Sequence, residues 1–192
     1  LNVFSKVDYQ ATAISQSLIP EILITPFSVF SILGTAEIAS LFLLVLFVLI
    51  SNLRKLYVLF FYGLTGGIEL FGKSIIAQSG PPIEFLKTNL HLGFPSGEVS
   101  RGFFSYPSGH MARTAFISAV LLFAIWKSSK LSKELKYTFA FCILAFDFIM
   151  FVSRFYLGEH WLSDVVGGTF LGLSFGLIAI IFLGSGKRRF IN

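Results

Sequence analysis

Five long apolar runs, at about 30–50, 56–76, 111–126, 135–152 and 161–183, leave this chain few ways to fold. Each approaches the ~20 mostly apolar residues that a helix needs to cross the hydrocarbon core of a bilayer. Inside that core every backbone N–H and C=O must find a partner within the protein, which repeated runs of helical length achieve more simply than the alternating strands of a barrel. The sequence therefore predicts an all-α integral membrane protein, a helical bundle of five transmembrane helices. The third run is the shortest and borrows 108–110 at its start.

Composition agrees: 55% of the residues are hydrophobic and 13% charged, against about 25% charged in an average soluble domain. One membrane-embedded domain over 1–192 accounts for the length, with no room for a second, soluble one. Cys142 is the single cysteine, so neither a disulfide framework nor a thiolate metal site is available. It reads as a small buried apolar side chain.

The segment 1–29 mixes Lys6, Asp8, Gln10, Gln16, Pro20, Glu21 and Pro26 with apolar residues. It is expected to form an interfacial amphipathic helix followed by a broken approach to the first span. The chain opens on Leu1 instead of methionine, and a further span ahead of it is an open expectation. The one long polar connection, 77–107, is punctuated by Gly80-Pro81-Pro82 and Gly93-Phe94-Pro95. A loop of that length in so small a protein usually serves function.

Charge sets the orientation. Arg54, Lys55, Lys127, Lys130, Lys133, Lys136, Lys187, Arg188 and Arg189 fall on one face, accompanied by one acid, Glu134. By the positive-inside rule that face and the C-terminus are cytoplasmic, and the loop 77–107 and the connection 154–160 look outward. The net charge of +5 is thus a matter of membrane topology, and no nucleic-acid partner is expected.

On the outward face the sequence gathers Pro107-Ser108-Gly109-His110 at the start of the third span, and Ser153-Arg154, His160 and Asp164 between the fourth and fifth. Ionisable groups at a span boundary are costly enough to suggest function. His160 and Asp164, four apart, share one helix face, so the carboxylate can take a hydrogen bond from one imidazole nitrogen and leave the other free to attack. Histidine is largely neutral near pH 7 and serves as a phosphoryl acceptor. His110 on another helix is the candidate general acid. Arg154 can grip phosphate oxygens, Ser108 and Gly109 offer a hydroxyl and N–H groups at a helix start, and Lys73 adds a point charge from the second span.

These elements resemble the type 2 phosphatidic acid phosphatase superfamily. Its pattern is a lysine with arginine-proline downstream, then Pro-Ser-Gly-His, then Ser-Arg with five residues to His and three to Asp. The second and third elements match in full, and the helices from about 31 to 183 look like the family's six-helix fold less its first helix. The resemblance implies metal-independent dephosphorylation of lipid phosphates through a phosphohistidine on His160. His110 is then the acid, Asp164 the histidine's partner, and Lys73, Ser108, Gly109 and Arg154 the phosphate binders. It implies no cofactor, and no metal site is visible. The first element departs from the pattern: Lys73 leads to Gly80-Pro81 where arginine-proline is expected, so one guanidinium is missing. Lys87, Arg101 and Arg113 are the candidate substitutes.

Blander readings compete. Pro-Ser-Gly is ordinary turn chemistry, and Arg154 or Lys73 can serve as snorkelling anchors. His91 reads as a surface residue, Asp147 and Glu69 as hydrogen-bonding glue inside the bundle with a role in lining the site left open, and Glu37 is unassigned. The 24 phenylalanines are mostly lipid-facing or packing surface. Gly167-Gly168, Gly172 and Gly176 recur at helical spacing, which favours close helix approach. Two other functions stay open beside hydrolysis of a phosphatidic acid, phosphatidylglycerol phosphate or prenyl diphosphate type of substrate: a lipid phosphotransferase using the same phosphohistidine, and a silent lipid-phosphate binder.

Overall fold

The computed structural model describes residues 4–49, 55–88, 90 and 104–184. Its helices, in chain order, are α1 (Ser5–Leu18), α2 (Ile24–Leu33), α3 (Ala36–Leu49), α4 (Lys55–Ile75), α5 (Gly109–Lys127), α6 (Lys133–Tyr156) and α7 (Leu162–Gly184). α1 stops at Pro20, since the residue before a proline is pushed to extended backbone. After one 3-10 turn the chain resumes at 104° to its former direction. Ser132 starts α6 by accepting the Leu135 N–H on its hydroxyl.

α5, α6 and α7 are long and apolar enough to cross a membrane, and this is a multi-pass membrane protein. α4, of 21 residues, has the length but carries Glu69 and Lys73 in its last two turns. The continuous helix expected over 30–50 is not what forms. It is broken between Leu33 and Ala36, where the Gly34 and Thr35 N–H groups turn to the carbonyls of Ser31 and Ile32. A Cβ on Gly34 would lie 2.9 Å from His110 Cδ2, so the imidazole packs against the break. The Gly34 carbonyl freed from the helix accepts Arg113 Nε–H at 3.2 Å. Irregular backbone at membrane depth is tolerated where protein meets its polar groups, and here an arginine does so.

The bundle is organised around α5, whose residues from Gly109 to Val120 are buried. α7 lies directly against it. A Cβ on Gly168 would stand 2.2 Å from the Ser108 carbonyl oxygen, and one on Gly172 2.1 Å from that of Ala112, so the two backbones touch. Gly172→Leu is therefore expected to force α5 and α7 apart and to lower stability by roughly 1–3 kcal/mol, the usual cost of overpacking. Thermal unfolding in detergent reads it, and an unchanged midpoint would contradict the close-contact account. Between α5 and α6, Ser118 donates to Asp147 at 2.6 Å, the bundle glue expected of that acid.

Cys142 corrects one expectation: it is exposed on α6, near the exposed Phe141 and Leu144. In a bilayer the outward side of a helix is apolar as well, so apolar character alone cannot say which way a side chain faces. α1, expected to lie along the interface, docks on the helix ends. Asp8 accepts the Ser163 N–H at 2.8 Å and its hydroxyl at 2.7 Å, while Gln16 donates to the carbonyls of Phe85 and Tyr156.

Candidate active site

Four helix ends and one helix break meet at a single end of the bundle. Ser108 precedes the first turn of α5, so the chain direction there aims free N–H groups and the positive end of the helix dipole at the site. The Ser108 N–H donates to the Asp164 carbonyl at 3.0 Å, which ties the start of α5 to the first turn of α7. Arg154 lies in the last turn of α6, and its carbonyl accepts the N–H groups of Glu159 and His160, both at 3.2 Å. The chain then reverses through Gly158 at φ +71°, where a Cβ would meet the Phe85 carbonyl oxygen at 2.1 Å. Only glycine suits both that backbone and that contact.

This turn sets His160 beside Asp164, with Nδ1 3.5 Å from Oδ2. Asp164 is wholly buried and held from several sides. Its Oδ1 accepts from Gln78 Nε2 at 2.8 Å, and its Oδ2 accepts the Trp161 N–H at 2.9 Å and the Ser105 hydroxyl. The Trp161 bond is also the acidic half of a capping box at the start of α7. Burial lowers the His160 pKa from its ordinary value, with the Asp164 carboxylate pulling the other way and the Arg154 charge adding to the fall.

Arg154 is 1% exposed. Its two terminal nitrogens donate to the Ser31 hydroxyl and the Glu159 carboxylate, and Glu159 also accepts the Thr88 hydroxyl. From α4, Lys73 Nζ reaches Glu69 Oε1 at 2.9 Å, while Arg113 Nη1 meets Glu69 Oε2 at 2.8 Å. The same carboxylate presses on Gly109, where a Cβ would lie 1.9 Å from Oε1. Arg154, Arg113, His160 and Lys73 all lie within electrostatic range of the buried His110. Thus His110, His160, Asp164, Ser108, Gly109, Arg154 and Lys73 gather at one end of the bundle, as the sequence suggests.

Four buried side-chain atoms of this cluster have no hydrogen-bond partner among the described residues: Ser108 Oγ, His110 Nε2, Arg154 Nε and His160 Nδ1. Each such atom costs ~1–3 kcal/mol when left unmet. Such groups call for an explanation, a catalytic role or a bound ion among them, and Thr12 Oγ1 and Ser28 Oγ on the N-terminal helices are unmet as well. Among the described residues no three His, Cys, Asp or Glu side chains come together in a metal-holding group.

Several contributors are not apparent in the sequence. Gln78 and Ser105 bracket the ends of the long loop, joined by the Ser105 N–H to the Gln78 carbonyl at 3.0 Å, and both serve Asp164. Nothing periodic marks them. Glu159 had a readable signal, since an acid next to His160 and five residues after a buried arginine is a natural counter-ion. Of the candidate substitutes for the missing arginine, Lys87 is engaged by Glu21 at 3.5 Å and lies over the Tyr156 ring. Arg101 and His91 lie outside the described residues.

Residues 54–187 match the model of the PAP2 superfamily. The chain belongs to that family, the type 2 phosphatidic acid phosphatase superfamily, and it is a phosphatase. Among curated relatives, a probable lipid phosphate phosphatase beta of Arabidopsis thaliana is 28% identical over 149 residues, covering 71% of this chain and 70% of that protein. Phosphatidylglycerophosphatase B of Bacillus subtilis (strain 168) is 36% identical over 77 residues, 39% of this chain and 37% of that protein. Two solved structures share the fold. The transmembrane PAP2-type phosphatidylglycerolphosphate phosphatase of Bacillus subtilis superposes with a TM-score of 0.79 at 20% identity, covering 98% of this chain and 90% of the other. LpxE of Aquifex aeolicus does so with 0.68 at 20% identity, covering 91% and 95%.

Proposed function

We propose that this chain hydrolyses the phosphate monoester or diphosphate of a membrane lipid through a phosphohistidine on His160. The observation that carries the reading is that Ser108 Oγ, His110 Nε2 and Arg154 Nε, three of the buried side-chain atoms without a partner among the described residues, belong to the cluster in which His160 Nδ1 faces Asp164. The relatives named for lipid phosphates and phosphatidylglycerophosphate support the substrate class.

With Nδ1 turned to Asp164, the His160 Nε2 lone pair attacks phosphorus and the bond from phosphorus to the ester oxygen breaks. His110 gives a proton to the departing oxygen, so the alcohol leaves neutral. Water then attacks the phosphohistidine, losing its proton to His110, and releases inorganic phosphate and free His160. The charges of Arg154 and Lys73, with the N–H groups and hydroxyl at the start of α5, stabilise the phosphoryl oxygens throughout, which is most of what this chemistry requires. No metal takes part in this scheme. The positive-inside rule puts the site on the non-cytoplasmic face and the C-terminus in the cytoplasm, with the substrate's tails remaining in lipid.

The test is phosphate release by detergent-solubilised protein from phosphatidic acid, phosphatidylglycerol phosphate and a prenyl diphosphate, with EDTA present. Release from at least one is expected, and no release from any contradicts the reading. A pH profile follows from the same scheme. Attack requires neutral His160, whose pKa is lowered by burial. The acid limb of kcat/KM is therefore expected below the ~6.5 of free imidazole. A limb above that value would mean that another group controls the step.

A further inference from the structure

The family's first element lacks its arginine here, because Gly80 stands where the guanidinium is expected. Arg113 lies one helical turn beyond His110 on α5 and is 8% exposed. Its Nε is anchored on the Gly34 carbonyl exposed by the break between α2 and α3, and its Nη1 on Glu69. That same carboxylate holds Lys73 on its other oxygen, so the ammonium and the guanidinium stand side by side beside Gly109 at the start of α5. Arg113 is also within electrostatic range of His110 and Arg154. One buried guanidinium and one part-exposed ammonium sharing a single buried carboxylate keep a local excess of one positive charge, which an anion beside them would offset.

We propose that Arg113 is a phosphate-binding residue, supplying from α5, beside Lys73, the guanidinium that the chain lacks at Gly80. Glu69 and the Gly34 carbonyl take Nη1 and Nε, and the Nη2 edge contacts a phosphoryl oxygen. This rests on the phosphatase reading above and deepens it. The break at Gly34 and the glycine at 109 are then parts of one device: the first provides a carbonyl that aims the guanidinium, the second lets Glu69 reach in beside the helix start.

The experiment compares wild type, Arg113→Met and Arg113→Lys in detergent, by kcat and KM on the best lipid phosphate and by the inhibition constant for orthovanadate. Loss of one donor to a phosphoryl transition state typically costs ~10²–10³-fold. Arg113→Met is expected to lower kcat/KM by about 100-fold, mainly through kcat, and to weaken vanadate inhibition at least ~10-fold. Arg113→Lys keeps the charge but loses the planar fork, and should fall between. Elution as a single folded species and the unfolding midpoint are recorded for each variant. If Arg113→Met is too unstable to assay, the lysine variant decides: weakened vanadate inhibition supports the proposal. Unchanged vanadate inhibition in a variant that folds, whatever its stability, overturns it and leaves Arg113 a purely structural partner of Glu69. Inactive wild-type protein would instead mean that the phosphatase reading itself fails.

Discussion

Replacing His160 with alanine is expected to abolish phosphate release, by at least about 10⁴-fold, while the protein still folds and still binds lipid phosphate. The size follows from the role: a nucleophile has no substitute in the site, whereas each phosphate-binding group shares its work with others. His110 on α5 is buried in the same cluster, but the role proposed for it is to protonate the leaving oxygen, and among the described residues no carboxylate pairs with it as Asp164 does with His160. The imidazole is half of a pair whose other half is independently fixed by Gln78, Ser105 and Trp161. Removing the ring leaves that anchor intact, so the unfolding midpoint should move little. Assay of lipid phosphate hydrolysis beside a melting curve separates the two effects, and substantial residual turnover would remove His160 from the role assigned to it.

Arg154→Leu should damage both stability and activity, and the two losses can be pulled apart. The guanidinium and the Glu159 carboxylate form a pair with 2% and 4% side-chain exposure. Taking away one partner strands a buried charge, a loss of about 3–5 kcal/mol, whereas replacing both by apolar groups is often neutral or better. Arg154→Leu with Glu159→Leu should therefore recover most of the stability. Activity should stay low in the double variant, because the guanidinium proposed to bind phosphate is gone in both. Recovery of turnover together with stability would show that Arg154 acts only as a structural partner of Glu159.

The helix bundle was legible because its signal is local: runs of apolar residues near the length of a span become α4, α5 and α7 to within a residue or two at each end, whereas α6 runs on to Tyr156, past the expected 152, and takes in Arg154. The paired histidine and aspartate were legible for the same reason, four residues apart on adjoining chain. What the sequence hid is long-range. The break at Gly34 lies inside an apolar run that reads as one helix, and the residues that pack on it and take its carbonyl, His110 and Arg113, are far away in the chain. Asp8, apparently one polar residue of an interfacial helix, instead caps α7 through the Ser163 N–H. Glu69 is the glue between helices that was expected, joining α4 to Arg113 of α5, but that it also holds Lys73 and Arg113 together depends on where α4 and α5 cross. Cys142 was misread because hydropathy cannot distinguish a side chain facing the bundle from one facing outward.

The central claim is that phosphate passes through a covalent bond to His160. It is tested most directly by mixing the protein with a lipid bearing a radiolabelled phosphate, quenching within the first turnover in alkali, and measuring label on the protein. The account predicts label that survives alkali, is released by acid, maps to the peptide containing His160 and is absent from His160→Ala. Turnover at the wild-type rate with no labelled protein at any quench time, or label that persists in His160→Ala, would contradict it.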